Sequence, residues 1–149
     1  MKTVEKVKEG ANFTATSIGS LNDLGEFKYR HPAGIEVPGK VFVGDALQCT
    51  GTEASFQVMP VGQGVAFLHT HKENEELYVV LKGSGEYQVD GTIFPIAEGS
   101  LVRVSPQGKR SWRNTGTEPM VMMVVQSKQG SLKNLGIVDG ARVDEEVKW

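Results

Sequence analysis

Short runs of alternating apolar and polar residues recur along the chain from about residue 41, with glycine or proline between them. Successive side chains of a strand point to opposite faces, so this alternation is typical of sheets with one buried face. Helical spacing is hard to find, and the rhythm predicts an all-β sandwich or barrel. The predicted strands cover residues 40–44, 54–59, 65–71, 76–82, 85–89, 92–96, 101–104, 111–114 and 120–126.

The turns between these strands are short and chemically explicit. Asp90-Gly91 is a favoured pair for a two-residue type I′ hairpin, and Glu98-Gly99 gives a further reversal. Connections this short join neighbouring antiparallel strands. We therefore expect an antiparallel barrel over residues 40–127.

The two ends of the chain have weaker patterns. Residues 1–39 contain several turn signals, which predict an irregular N-terminal arm with one strand at most, packed on the barrel. Residues 128–149 form a similar C-terminal extension. Because open sheet edges need covering, we expect both arms to lie across the barrel or across a neighbouring subunit.

Composition narrows the class of protein. The chain has 149 residues, which is the usual size of one domain, and 16 basic residues nearly balance 18 acidic ones. No basic field is present to bind nucleic acid, and no apolar stretch approaches the length of a membrane helix. Cys49 stands alone, so it forms no internal disulfide, and we expect it to be a small packing residue in a cytoplasmic protein.

Two of the three histidines carry the chemistry. His69 and His71 are two residues apart in a predicted strand, so both imidazoles point to the same face. Glu76 follows after a polar turn, and a chain reversal there would complete a set of two histidines and one carboxylate, which suits Zn(II), Fe(II), Mn(II) or Ni(II). The spacing alone is also compatible with two polar residues on a solvated sheet face.

The spacing of these residues resembles two known motifs. The first comprises Gly64, His69, His71, Glu76 and Gly83, and it resembles the first motif of the cupin family, one residue short between its opening glycine and its first histidine. The second follows at Asp90-Gly91, Pro95, Gly99, Asn114 and Gly116 and resembles the second cupin motif. The resemblance implies a small single-domain cupin of the cupin-2 type, which is a double-stranded β-helix or jelly roll. It also implies a homodimer and a pocket into which the two histidines and the glutamate face.

One position departs from the family pattern. Cupins commonly have a fourth ligand, a histidine of the second motif, and Arg110 stands there in this chain. A guanidinium cannot donate a lone pair to a metal. In one hypothesis His69, His71 and Glu76 hold the metal while Arg110 anchors an anionic substrate group. In the other, Arg110 pairs with Glu76 and the pocket is free of metal.

Several other residues are candidates for the pocket. Gln57 and His31 could supply a replacement ligand, although His31 is predicted to be a surface residue. Alternation places Tyr78 on the inward face with Glu76, where its hydroxyl could bind a ligand or a metal-bound water. Trp112 shares the face of Arg110, and we expect Trp112 and Phe67 to serve as core packing.

The leading hypothesis is a metal-dependent enzyme acting on a small anionic molecule, as a dioxygenase, isomerase, epimerase or decarboxylase. In it, Arg110 and Tyr78 assist catalysis beside the divalent metal ion. The alternative is a non-catalytic cupin that binds a sugar or another small ligand, either with or without a metal. The resemblance constrains the site more tightly than the reaction.

Overall fold

The structure, a computed structural model that describes residues 1–149, is built almost entirely of antiparallel strands. Its helical elements are a 3₁₀ helix (Leu21–Glu26) and a single α-helical turn, α1 (Gly44–Leu47). No helix has the length and apolar character needed to cross a bilayer. The strands are β1 (Glu5–Gly10), β2 (Phe13–Ser17), β3 (Lys28–Arg30), β4 (Glu36–Pro38), β5 (Lys40–Phe42), β6 (Glu53–Met59), β7 (Asn74–Lys82), β8 (Ser84–Val89), β9 (Thr92–Ala97), β10 (Leu101–Val104), β11 (Arg110–Arg113) and β12 (Met120–Lys128).

Two sheets enclose the main core. A five-stranded sheet has the order β10-β7-β12-β6-β5, and a three-stranded sheet has the order β11-β8-β9. Side chains from both sheets form one apolar cluster, because the inward positions of each strand alternate with exposed ones. This arrangement confirms the predicted all-β, antiparallel jelly roll. The buried residues of the cluster are Met59, Tyr78, Val80, Tyr87, Ile96, Val104, Trp112, Met120, Met122 and Val124.

A second, smaller core lies on the other face of the five-stranded sheet. Leu24 and Phe27, from the region of the 3₁₀ helix, pack there with Val41, Val43 and Val121. The N-terminal segment thus covers apolar positions that the main core leaves outside. Alternation along β5 sends Val41 to this second core, so its neighbours on the strand face the opposite way.

The hairpin between β8 and β9 has the predicted turn. Val89 pairs with Thr92, so the loop holds only Asp90 and Gly91. Both have positive φ, 49° and 83°, as a type I′ turn requires.

Three local predictions are wrong. Residues 65–71 form no continuous strand, because only isolated pairs link this segment to β11. The first 39 residues contain four short strands and a 3₁₀ helix, where at most one strand was expected. Cys49 is exposed, because it follows the α1 turn and does not lie in a strand, so it is not a packing residue.

The C-terminal tail from residue 129 to residue 149 contains no strand and is exposed along its whole length. Its last backbone hydrogen bond to the barrel runs from the Gln129 amide to the Glu73 carbonyl. The tail therefore does not cover the barrel of its own chain, contrary to one of the two placements expected. Several large apolar side chains of this tail are exposed to solvent, namely Leu132, Leu135, Ile137, Val138, Val143, Val147 and Trp149.

Candidate metal centre

A loop antiparallel to β11 positions both histidines. The backbones of His69 and Arg110 exchange two hydrogen bonds, of 3.2 and 3.1 Å, and the His71 amide donates to the Pro106 carbonyl at 2.8 Å. At the start of this loop, the backbone of Gly64 lies very close to β11, since a Cβ on Gly64 would be 2.6 Å from Cβ of Arg113. The loop is thus held against the sheet although it is not a regular strand.

Strand β7 supplies the carboxylate. Glu76, Tyr78 and Val80 are buried while Leu77 is exposed, so the predicted inward face is confirmed. Glu76 is only 5% exposed although it carries a charge. Such a group requires nearby hydrogen-bond donors or cations, and several converge on it.

The three predicted ligands come together in space. One ligand atom from each of His69, His71 and Glu76 can be chosen so that all lie within 4.8 Å of one another. Nε2 of His71 is 3.1 Å from Oε1 of Glu76, and Nε2 of His69 is 3.9 Å from Oε2. Two ligands at about 2.1 Å from one ion lie at most about 4.2 Å apart, so both separations suit a shared ion.

The hydrogen bonding of the histidines also suits a cation. Nδ1 of His69 is buried without a hydrogen-bond partner, and the buried Nε2 of His71 has no well-directed hydrogen bond although Oε1 of Glu76 is 3.1 Å away. Burial lowers the pKa of His69, which the negative charge of Glu76 only partly offsets, and Arg110 lowers it further. A neutral imidazole has a lone pair to donate, so the residues fit a divalent metal ion.

Arg110 lies where a substrate cannot reach it. Its side chain is 0% exposed and does not line the cavity in front of the histidines. Nε donates to Oε2 of Glu76 at 3.1 Å, and Nη1 donates to the carbonyls of Pro106 and Gly108 at 3.2 and 2.7 Å. The expectation that Arg110 anchors a substrate anion is therefore wrong, because its side chain is buried beside Glu76 and outside the cavity, although Nη2 has no hydrogen-bond partner of its own. Its pairing with Glu76 is the contact that the second hypothesis required.

Tyr78, like Arg110, binds the carboxylate of Glu76. Its hydroxyl donates to Oε2 of Glu76. Burial raises the pKa of Tyr78, and the charge of Glu76 raises it further, so the hydroxyl stays protonated and remains a donor. The hydroxyl contacts the carboxylate, so its visible role is to hold Glu76 in place.

A cavity of about 690 Å³ opens in front of the cluster. His69, His71 and Glu76 lie on its wall, as does Gln57, which is buried on β6. Lys40 also lines it, a residue that the sequence analysis did not single out. Alternation along β5 could have indicated Lys40, since it faces away from Val41 and pairs across the sheet with Gln57.

The remaining candidates are distributed around the rim and the core. His31 is exposed at the cavity rim and is not part of the cluster, consistent with a surface residue. Trp112 belongs to the main core, as expected, and also lines the cavity. Phe67 is 66% exposed, so its assignment to the core is wrong, because its loop lies outside the sheets.

Known proteins are similar to this chain in fold and in sequence. The family model for the cupin domain matches residues 55–126. The structure of a cupin protein from Bacteroides fragilis is 36% identical, with a TM-score of 0.67 over 70% of this chain and 88% of that one. The chain therefore belongs to the cupin family.

Two other relatives are informative. A protein from Acidithiobacillus ferrooxidans, provisionally named a sugar phosphate isomerase, is 27% identical, with a TM-score of 0.54 over 60% of this chain and 58% of that one. An uncharacterised protein from Methanocaldococcus jannaschii is 29% identical over 66 residues, which is 44% of this chain. The match spans about half the length of that relative, 52%.

Proposed function

We propose that this cupin is a metal-dependent enzyme that acts on a small molecule in the cavity, with His69, His71 and Glu76 as the metal ligands. The observation that carries the proposal is the convergence of two imidazoles on one buried carboxylate, with a ligand atom of each residue within 4.8 Å of the others. Imidazole and carboxylate ligands suit Zn(II), Fe(II), Mn(II) or Ni(II). Gln57, on the same cavity wall, is the candidate for a further ligand.

The chain's own residues prepare the site for such an ion. Tyr78 and Arg110 hold Oε2 of Glu76, which leaves Oε1 directed toward His71. Residues that hold and orient a ligand in this way commonly tune metal affinity. When bound, the ion would act as a Lewis acid or as a centre for oxygen chemistry. A dioxygenase, isomerase or epimerase reaction is compatible with this arrangement, and the provisional name of the Acidithiobacillus relative supports a small-molecule substrate.

A second candidate function is metal-free binding of a sugar or another small ligand. The ion pair between Arg110 and Glu76 favours it, because Nη2 of Arg110 lies 3.0 Å from Oε2 and adds positive charge beside the ligand set. With neutral histidines, the charges of Arg110 and Glu76 cancel. A divalent cation would then be attracted by lone pairs alone, without net negative charge.

Metal content decides between the two functions. The protein would be purified without chelator or affinity nickel, and its metals measured by elemental analysis before and after reconstitution. We expect about one ion per chain in the wild type and less than about a tenth in the His71→Ala variant. His31→Ala is the matched control, because His31 is exposed and outside the cluster, and it should retain the metal. A metal-free wild type, even after reconstitution, would overturn the metalloenzyme proposal and leave metal-free binding as the candidate function.

We also propose that the protein is a cytoplasmic homodimer. The apolar side chains of the C-terminal tail support the dimer, since most of their surface is exposed in a single chain. Analytical ultracentrifugation of the full chain, and of a chain ending at residue 129, tests the assembly. A monomeric full chain would disprove it.

A further inference from the structure

Lys40 is the cation whose charge faces the cavity. It lies on β5 directly opposite Gln57 on β6, and both side chains line the cavity wall. Phe42, two residues further on, shares this face. The short strand thus presents one cation and one aromatic ring to the cavity.

The ammonium group of Lys40 has no anionic partner in the protein. It takes part in none of the ion pairs of the structure, whereas Lys2, Lys6, Lys28, Lys82 and Lys128 all do. Its Nζ lies 4.9 Å from the centroid of the Phe42 ring. A partly buried cation held over a ring and left without a carboxylate is an arrangement that an anionic ligand would complete.

The one carboxylate on the cavity wall cannot satisfy Lys40. Glu76 is already bound by Arg110 and by Tyr78. Its negative charge raises the pKa of Lys40, but burial of the amine has the larger effect and lowers that pKa. Lys40 is therefore left without a carboxylate partner of its own on the cavity wall.

The lining also indicates what kind of anion would fit. A phosphate has three strong acceptor oxygens and usually meets several cationic or backbone donors. Here the cavity is lined by a single lysine and no arginine. A carboxylate matches this smaller set, since one oxygen can accept from Lys40 and the other from the amide of Gln57. Beside them, Tyr29 and Phe42 present rings whose centroids are 4.8 Å apart.

We propose that the cavity binds a small carboxylic acid with an apolar body, whose carboxylate lies between Lys40 and Gln57 and whose body packs on Tyr29 and Phe42. The inference rests on the proposed function only in taking this cavity as the substrate site. The contacts it names do not involve His69, His71 or Glu76, and it assigns the amide of Gln57 to the carboxylate instead of to the metal. Its test can therefore be read with and without a metal ion.

Fluorine NMR titrations with a matched pair of probes test the proposal. The probes are 4-fluorobenzoate and its neutral counterpart 4-fluorobenzamide, with inorganic phosphate as a competitor. The proteins are the wild type, Lys40→Met, Lys40→Arg and Lys82→Met. The last is the matched control, because Lys82 pairs with Glu118 at the surface and its loss changes the net charge equally.

In the wild type and in Lys82→Met, we expect benzoate to bind about 10-fold more tightly than benzamide. In Lys40→Met that preference should disappear, with benzamide affinity unchanged within about 2-fold, and Lys40→Arg should restore most of it. Equal affinities in the wild type, or an undiminished preference in Lys40→Met, would overturn the proposal. Phosphate that displaces benzoate at lower concentration than benzoate's own dissociation constant would assign the site to a phosphate ligand.

Metal analysis of the same samples separates this inference from the proposed function. A Lys40-dependent preference in protein that binds no metal sustains the carboxylate site and removes the metalloenzyme. A metal-loaded protein without the preference for benzoate sustains the metalloenzyme and removes the carboxylate site. A preference that chelation abolishes would place the carboxylate on the metal, and the role of Lys40 would be disproved.

Discussion

Arg110 and Lys40 are two cations of one site, and they differ in almost every other respect. Both lower the pKa of His69, so the charges of both reach the cluster. Arg110 is fully buried on β11 with hydrogen bonds to Glu76 and to two carbonyl groups. Lys40 lies on β5, at the edge of the five-stranded sheet, and faces the cavity without a partner. The comparison shows that access to the cavity, more than charge, marks a residue as available to a ligand.

The two positions should also differ in how much of the fold depends on them. A buried ion pair is strongly destabilising when one partner is removed, because the other charge is left buried and uncompensated. A cation facing a cavity leaves no such charge behind. The following experiments test this contrast, from the largest expected effect to the smallest.

Removal of Arg110 should have the largest effect. We expect Arg110→Met to lower the free energy of unfolding by about 3–5 kcal/mol, because Glu76 loses its buried cationic partner. Urea denaturation monitored by tryptophan fluorescence measures it. Arg103→Met is the matched control, since the pair with Glu75 is at the surface and should cost less than about 1 kcal/mol. Similar losses in both variants would remove the distinction between buried and exposed arginines.

The loop that carries the histidines should tolerate little added volume at its start. We expect Gly64→Ala to cost about 1–3 kcal/mol, because the new Cβ would lie 2.6 Å from Cβ of Arg113 and the backbone must shift. Gly51→Ala is the control, as no atom lies within 4 Å of the corresponding Cβ. A neutral Gly64→Ala in the same denaturation assay would mean that the loop is not held tightly against β11.

The hydroxyl of Tyr78 should matter for metal binding more than for folding. We expect Tyr78→Phe to weaken metal affinity about 10-fold, because Glu76 loses a donor that holds Oε2. Competition with a chromogenic chelator measures the affinity. Tyr29→Phe should leave it unchanged, since Tyr29 lines the same cavity and its hydroxyl makes no hydrogen bond to Glu76. An equal loss in the two variants would mean that the effect does not come from the contact with Glu76.

The smallest effect concerns the protonation of Lys40. Burial lowers its pKa in the folded protein below the ordinary value of 10.5. Between the folded and the unfolded pKa the unfolded chain binds the proton and the folded one does not, so stability should rise with pH in the interval just below pH 10.5. The difference between the unfolding curves of the wild type and Lys40→Met isolates this rise. A flat difference would mean that water solvates the ammonium group fully.

Much of the barrel could be predicted from local patterns. The alternation in β7 placed Glu76 and Tyr78 inward, and the Asp90-Gly91 pair predicted its hairpin turn, because strand period and turn geometry depend on neighbouring residues alone. The segment from 65 to 71 shows the limit of this approach. Its alternation resembles that of a strand, yet its pairing partner lies about forty residues away and bonds to it only at isolated points.

The candidate site divides in the same way. The spacing of His69, His71 and Glu76, together with the resemblance to the cupin motif, predicted that they converge, and they do so from a loop and a strand instead of two strands. The role of Arg110 could not be judged from its position in a motif. Its accessibility depends on which carbonyl groups and carboxylates surround it, and those are contacts between distant parts of the chain.

The sequence by itself determined most strands of the barrel, the hairpin turn and, through its resemblance to the cupin motif, the three residues of the cluster, because each depends on side-chain alternation or on short separations along the chain. Only the tertiary structure decided which of the two cations, Arg110 or Lys40, faces the cavity. Arg110 is enclosed by the turn before β11 and by Glu76 of β7, whereas Lys40 is brought to the same cavity by the pairing of β5 with β6. Burial and partner count are properties of the packed molecule, so charge alone in the sequence could not distinguish the two residues.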